Sequence, residues 1–73
     1  MINIRGNIMD YAKKIKEYRE KMLITQQQLA KLLGVGIVNV SRWEKGHFNP
    51  TIETKKKLRI LFIEAGMEEN NNE

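Results

Sequence analysis

The side chains best suited to binding another molecule lie in one short segment, residues 37–45. Helical spacing places five of them on a single face: Ile37, Val38, Ser41, Arg42 and Lys45. Arginine and lysine donate hydrogen bonds to anionic and carbonyl oxygens, and the planar guanidinium of Arg42 can bond two acceptors at once. The segment therefore predicts recognition of an anionic partner.

The residue inventory argues against catalysis. One histidine, His47, and no cysteine among 73 residues leave little material for a nucleophile–base pair or a metal site. No glycine-rich loop of the kind that cradles phosphates is present, and so short a chain has little room to enclose a substrate. We expect no enzyme, no cofactor and no bound metal.

Charge is divided unevenly along the chain. Residues 1–59 carry all 13 lysines and arginines and five acids, a net charge of +8, whereas residues 60–73 carry four acids and no base. A basic body of this size attracts phosphates. No apolar run approaches the roughly 20 residues that cross a membrane, so we expect a cytoplasmic, nucleoid-associated protein without a membrane contact.

Capping residues and glycines predict four helices and no strand. Asp10, Thr25 and Thr51 can cap helix N-termini, and Gly34 and Gly66 can end helices. The predicted helices cover about residues 11–22, 26–33, 37–45 and 52–65. The chain is then an N-terminal arm (1–9), one all-α domain (10–66) and an acidic, asparagine-rich disordered tail (67–73).

The second and third predicted helices have the spacing of a helix-turn-helix. Ala30 is small enough to lie where two helices cross, and Gly34 permits the sharp turn. Val40 and Trp43, three residues apart on the third helix, point together into the core. Leu29 and Leu33 of the second helix and Val35 of the turn also point inward.

This arrangement resembles the Cro and phage-repressor family of helix-turn-helix proteins, often called XRE-like. The likeness extends over residues 11–66 and includes "IKEYREKMLITQQQLAKLLGV", "SRWEKG" and "NPTIETKKKLR". It implies a lambda-repressor-like domain of four to five helices that binds double-stranded DNA. It also implies that Arg19 and Glu44 form an internal ion pair, bracing the first helix against the third.

The resemblance further implies a set of DNA contacts. Gln26 matches a glutamine that binds a phosphate from a helix N-terminus. Ile37, Val38 and Arg42 match positions that meet base edges in the major groove, with Ser41 beside them, and Asn39 reaches sugar or phosphate. Three residues match the backbone contacts that follow the recognition helix: Lys45, His47 and Asn49.

Two departures from the family pattern matter. Ile37 and Val38 stand where polar side chains are common, and they can touch thymine methyl groups but cannot hydrogen-bond a base. Leu23 stands where a glycine commonly ends the first helix, so it must extend that helix or accept a strained conformation.

The fourth helix carries a second hypothesis. One core cannot bury every apolar residue of Ile60-Leu61-Phe62-Ile63, and we expect a homodimer through Ile60, Phe62 and Ile63. The alternative is that this end of the helix is fully buried. A dimer would present two recognition helices to successive major grooves about 34 Å apart.

These observations predict a sequence-specific DNA-binding transcriptional regulator, specifically a repressor. The alternative is a protein-interaction module with the same fold, such as an antitoxin-like partner protein. Ile37 and Val38 on the recognition face favour the alternative, whereas the basic charge of residues 1–59 favours DNA.

Overall fold

The computed structural model describes residues 10–68, and this part of the chain forms four α-helices and no strand. They are α1 (Tyr11–Met22), α2 (Gln26–Leu33), α3 (Ile37–Glu44) and α4 (Ile52–Glu64). The predicted all-α fold is confirmed, and the helix bounds agree to within one residue. The arm and all but two residues of the tail lie outside the described residues.

None of the helices between residues 10 and 68 is long and apolar enough to cross a membrane.

Side-chain caps define where three of the helices begin. Asp10 Oδ1 accepts from Lys13 N at 3.2 Å, and Thr51 Oγ1 accepts from Thr54 N at 3.4 Å. At α2, Thr25 Oγ1 accepts from Gln28 N while Gln28 Oε1 accepts from Thr25 N, a reciprocal capping box. Each cap satisfies an amide that the helix cannot pair internally.

The turn between α2 and α3 depends on Gly34. Its φ of 73° lies in the left-handed region, which a side chain would disfavour. This conformation lets Val35 N donate to Ala30 O at 3.0 Å, closing the end of α2. The chain then enters α3 directly, and α2 and α3 pack as a helix-turn-helix.

A single core joins all four helices. Tyr18 of α1 and Phe62 of α4 meet at a ring-centroid distance of 5.9 Å, and Ala30 is buried at the α2–α3 crossing. The core consists of Ile15, Tyr18, Leu29, Ala30, Leu33, Val40, Trp43, Leu58 and Phe62. The inward positions predicted on α2 and α3 are confirmed, including the Val40–Trp43 pair.

One prediction for an apolar residue is wrong. Phe62, expected on a dimer surface, is fully buried, because α4 is rotated so that Leu58 and Phe62, one turn apart, face the core.

The packed part of the chain continues beyond the predicted boundary at residue 66. Lys14 Nζ donates to Met67 O at 3.2 Å and lies 3.8 Å from Glu68 Oε2. The same ammonium group lies 5.6 Å from the Phe62 ring centroid. Lys14 of α1 therefore holds the segment after α4, and Met67 packs against the core.

Leu23 ends α1 in a strained backbone conformation and does not extend the helix. It ends α1 at φ 58°, and its side chain is 89% exposed. Its amide donates to Glu20 O, and Ile24 N donates to Arg19 O, so the left-handed turn satisfies the carbonyls at the end of α1. The backbone has the conformation that glycine favours, and the leucine gains little burial in return.

We predict that Leu23→Gly raises the free energy of unfolding by about 1 kcal/mol, since it removes the left-handed penalty and exposes almost no core. Gly34→Ala is the matched control, because it adds a side chain at a positive φ and should lower stability by a similar amount. Urea unfolding at one pH measures both. A Leu23→Gly variant less stable than the unsubstituted chain would contradict this account.

Candidate nucleic-acid interface

A shallow depression lies along α3 beside the N-terminus of α2. Seven side chains line it: Gln26, Ile37, Val38, Ser41, Arg42, Lys45 and His47. All seven belong to the nine positions predicted to contact DNA. The remaining two lie outside its lining, Asn39 half-buried on α3 and Asn49 exposed before α4.

A bidentate ion pair holds α3 against α1. Arg19 Nε lies 2.6 Å from Glu44 Oε2, and Nη2 lies 2.9 Å from Oε1. The Glu44 side chain is only 6% exposed and that of Arg19 is 19% exposed. Arg19 Nη1 also donates to Ile24 O at 3.2 Å, so the same guanidinium fastens the α1–α2 turn. The predicted bracing pair is confirmed.

The ion pair also positions Gln26, a link that sequence reasoning missed. Gln26 Nε2 donates to Glu44 Oε1 at 3.1 Å. A carboxamide has two N–H donors, so one remains for an outside acceptor such as a phosphate oxygen. The Gln26 amide is thus oriented by a buried carboxylate at the head of α2. No residue spacing indicates this contact, which joins positions 18 residues apart.

Opposing effects set the pKa of Glu44. Burial raises it, but hydrogen bonds from Arg19 and Gln26, together with the positive charges of Arg19 and Lys16, hold the pKa below its usual value. The hydrogen bond to Glu44 raises the pKa of Arg19. Both partners are therefore charged at neutral pH, and the charge of Arg19 compensates that of the Glu44 carboxylate.

Phe48 supports Arg42, and this residue too was missed. The Arg42 guanidinium lies 5.8 Å from the Phe48 ring centroid, the geometry of a cation–π contact. Gly46, at φ 77°, turns the chain after α3, and His47 N donates to Arg42 O at 3.0 Å. Phe48 thereby returns beside a residue six positions earlier. An aromatic residue just after a glycine stop was the available signal.

The lining of the depression is cationic and apolar. Arg42 and Lys45 contribute positive charge, Ile37 and Val38 contribute exposed apolar surface, and no carboxylate belongs to the lining. Between residues 10 and 68, no three side chains of His, Cys, Asp or Glu are grouped so that they could hold a metal ion. The surface is suited to hydrogen bonding with anions and carbonyl oxygens.

The sequence profile of the helix-turn-helix family matches residues 15–62, well over half of the chain and all of the depression's lining. The chain belongs to the Cro/C1-type helix-turn-helix family. Within this helix-turn-helix domain, α2 and α3 are the two motif helices, and α3 carries most of the lining residues.

Curated relatives of this helix-turn-helix chain come from archaea and bacteria. An uncharacterized HTH-type transcriptional regulator of Archaeoglobus fulgidus is 39% identical over 49 residues, 67% of this chain and 69% of its own length. HTH-type transcriptional regulator ImmR of Bacillus subtilis is 35% identical over 74% of this chain and 42% of its own length.

A third relative, Antitoxin MqsA of Escherichia coli, is 38% identical over 64% of this chain. The aligned region spans only 36% of MqsA, so most of that protein lies outside the similarity. No solved structure matches the chain significantly.

We predict that Glu44→Gln removes part of the decrease in the free energy of unfolding that occurs at acidic pH. The folded-state pKa of Glu44 lies below its usual value of 4.5, so folding favours the ionised form. Its contribution is fully present above pH 4.5 and is lost as the pH falls from there through the folded-state pKa. The free energy of unfolding of the variant should be about 3 kcal/mol lower than that of the unsubstituted chain at pH 7, and it should decrease less steeply as the pH falls below 4.5.

Denaturant unfolding at a series of pH values measures this effect. Glu17→Gln, which removes an exposed carboxylate from α1, controls for the loss of one negative charge. Equal acid slopes for the Glu44→Gln variant and the unsubstituted chain would mean that the ion pair does not stabilise the fold.

Proposed function

We propose that this chain is a sequence-specific double-stranded DNA-binding transcriptional regulator that represses by occupying an operator. The observation that carries the proposal is the shared depression at α2 and α3, which gathers Arg42 and Lys45 with polar donors and contains no carboxylate. A major groove about 12 Å wide admits one α-helix, and α3 is the helix that presents these side chains.

Two groups of contacts follow from this geometry. Gln26, Lys45 and His47, at the edges of the depression, approach phosphates and set the register of the domain on the duplex. Contacts with phosphates carry no sequence information, and the positive charge of Lys45 makes affinity depend on salt because it releases counterions from the duplex. The amide of Gln26 is already held by Glu44, which reduces the entropy lost on binding.

Base recognition falls to the exposed face of α3. Arg42 can bond the O6 and N7 atoms of guanine, and its contact with Phe48 limits the directions that its guanidinium adopts. Val38, 55% exposed, and Ile37 can pack against thymine methyl groups. The expected half-site therefore combines a guanine with adjacent thymines.

A second copy completes the proposed mode of action. Two domains related by a two-fold axis would read two half-sites about 34 Å apart, and the operator would then be palindromic. Bound over a promoter, such a pair would block transcription. The relatives named as transcriptional regulators support regulation as the general role.

A second candidate function is a protein-interaction module with the same fold. It is favoured by the apolar side chains Ile37 and Val38 on the exposed face of α3, and by the similarity to an antitoxin. Ile37→Asp separates the two functions. It should weaken an apolar protein interface by a factor that salt barely changes, whereas any loss of DNA affinity comes from a carboxylate placed near the phosphates and should shrink as salt is added.

Selection of DNA from a random duplex library by the purified protein, at physiological salt, tests the main proposal. A palindromic motif with half-sites about one helical turn apart is the expected result. Retention of DNA without a motif would contradict sequence specificity. No retention at all would contradict DNA binding and favour the protein-interaction function.

We predict that Arg42→Ala lowers affinity for the selected operator by about 1–3 kcal/mol and relaxes preference at one guanine. Phe48→Leu should lose part of the same preference, because Arg42 is then less constrained. Lys45→Ala is the control for a phosphate contact and should weaken all sequences alike. Its salt slope should fall by about 1. Fluorescence anisotropy with operator and mutated duplexes distinguishes these effects.

We predict that replacing the contacted thymines by uracil weakens binding about fourfold per methyl group removed, since each buried methyl contributes about 0.8 kcal/mol. Val38→Ala should bind the thymine and uracil duplexes more nearly equally. Ser41→Ala retains Ile37 and Val38 and should keep the full difference. Competition titrations measure the ratios, and an unchanged ratio in Val38→Ala would place the methyl contact elsewhere.

A further inference from the structure

A cleft of about 300 Å³ lies between the start of α1 and the first three turns of α4. This α1–α4 cleft shares no residue with the depression at α2 and α3. Its volume is at the lower end of the range in which proteins bind small molecules, and such sites combine apolar walls with a few convergent polar groups. The α1–α4 cleft has both features, and the proposed DNA contacts use neither.

Three apolar side chains form the walls and the floor of the α1–α4 cleft: Tyr11, Ile52 and Phe62. Phe62 belongs to the core, and Tyr11 is half-buried. Ile52, the first residue of α4, is 65% exposed, so this wall is open to water. An apolar molecule that covers the wall would remove this surface from water, which favours binding.

Three cations of α4 face the same cleft: Lys55, Lys56 and Arg59. Arg59 follows the two lysines by four and three residues, spacings that place the three charges on one side of the helix. Lys55 Nζ lies 5.2 Å from the centroid of the Tyr11 ring, so its ammonium group is held at the apolar wall.

The charge of these three cations is not neutralised within the part of the chain that the structure describes. The ion pairs found there are Lys14–Glu68 and Arg19–Glu44, and neither includes a cation of the α1–α4 cleft. Like charges brought together on one side of a helix repel one another. An anion bound among them would relieve this repulsion.

Glu68 determines which side of the α1–α4 cleft suits an anion. It is the one acid of the lining, and its Oε2 lies 3.8 Å from Lys14 Nζ, outside the cation group. The pKa of Tyr11 is raised by burial and by the charge of Glu68 and is lowered by the charge of Arg59, so both charges act on the Tyr11 hydroxyl. An anionic group therefore favours the α4 side of the cleft, away from Glu68.

We propose that the α1–α4 cleft binds a small organic acid with an apolar body, of the class of medium-chain carboxylates. The carboxylate accepts hydrogen bonds from Arg59 and the two lysines, and the hydrocarbon covers Ile52 and the Tyr11 ring. A bare anion would leave the apolar wall in water, and a neutral apolar molecule would leave the cations without a partner. This inference does not rest on the proposed function.

Nuclear magnetic resonance titration of the isotope-labelled full chain with octanoate, below its micelle concentration, tests the proposal. Amide resonances of the first turn of α1 and of residues 52–62 should shift and saturate, with a dissociation constant on the order of 1 mM. Acetate has the same head group without the apolar body, and octanol has the same body without the charge. Each should bind about tenfold or more weakly.

Variants with matched controls separate the two halves of the α1–α4 cleft. Arg59→Gln should raise the dissociation constant for octanoate several-fold, whereas Lys31→Gln removes an equal charge from the exposed side of α2 and should leave it unchanged. Ile52→Asn should weaken octanoate several-fold. Its control is Leu32→Asn, since Leu32 is 58% exposed on α2 outside the lining. The dispersion of the amide resonances verifies that every variant is folded.

Four results would overturn the proposal. Octanoate may produce no saturable shift at the cleft, bind no tighter than acetate, which would indicate a site for bare anions, or bind no tighter than octanol, which would indicate an apolar contact alone. The fourth is an equal effect of Arg59→Gln and Lys31→Gln, which would indicate general attraction to a basic domain. No DNA is present in these titrations, so their failure and that of the operator selection are distinguishable.

Discussion

The Arg19–Glu44 ion pair is the interaction on which the rest of the site depends. One buried carboxylate receives two bonds from α1 and one from Gln26 at the head of α2, while belonging to α3 itself. The Glu44 carboxylate thus fixes the positions of three helices relative to one another. Because an unpaired buried charge is costly, alternative arrangements of α3 against α1 are disfavoured. The relative placement of Gln26 and Arg42, which the proposed DNA contacts require, follows from this constraint.

The domain has a small core and two surfaces that expose apolar residues. The core joins all four helices with nine apolar residues, a small number that leaves the domain little excess stability. On the surface, the depression combines cations with apolar residues, and α4 presents a second apolar stripe. Both surfaces expose apolar residues that a larger domain could bury elsewhere, which makes association with another molecule a natural source of further stabilisation.

Local signals predicted the helices well. Asp10, Thr25 and Thr51 cap where they were expected to, because capping is a bond between a side chain and an amide three residues away. The turn at Gly34 was predictable for the same reason, because it depends on the backbone conformation of a single residue. The family spacing also identified the nine candidate contacts, seven of which line one depression. Phe62 was misplaced, because the pattern Ile60-Leu61-Phe62-Ile63 is apolar on every face and so contains no information about rotation.

The sequence by itself determined the helix bounds, the helix-turn-helix spacing and the uneven distribution of charge, since these depend on neighbours within a few positions. Only the tertiary structure decided which face of α4 is buried, that Gln26 bonds Glu44, and that Phe48 lies against Arg42. Those outcomes follow from packing between segments separated along the chain and from the reversal of direction at Gly46. Periodicity within one helix defines its faces, but the neighbouring helices determine which face is covered.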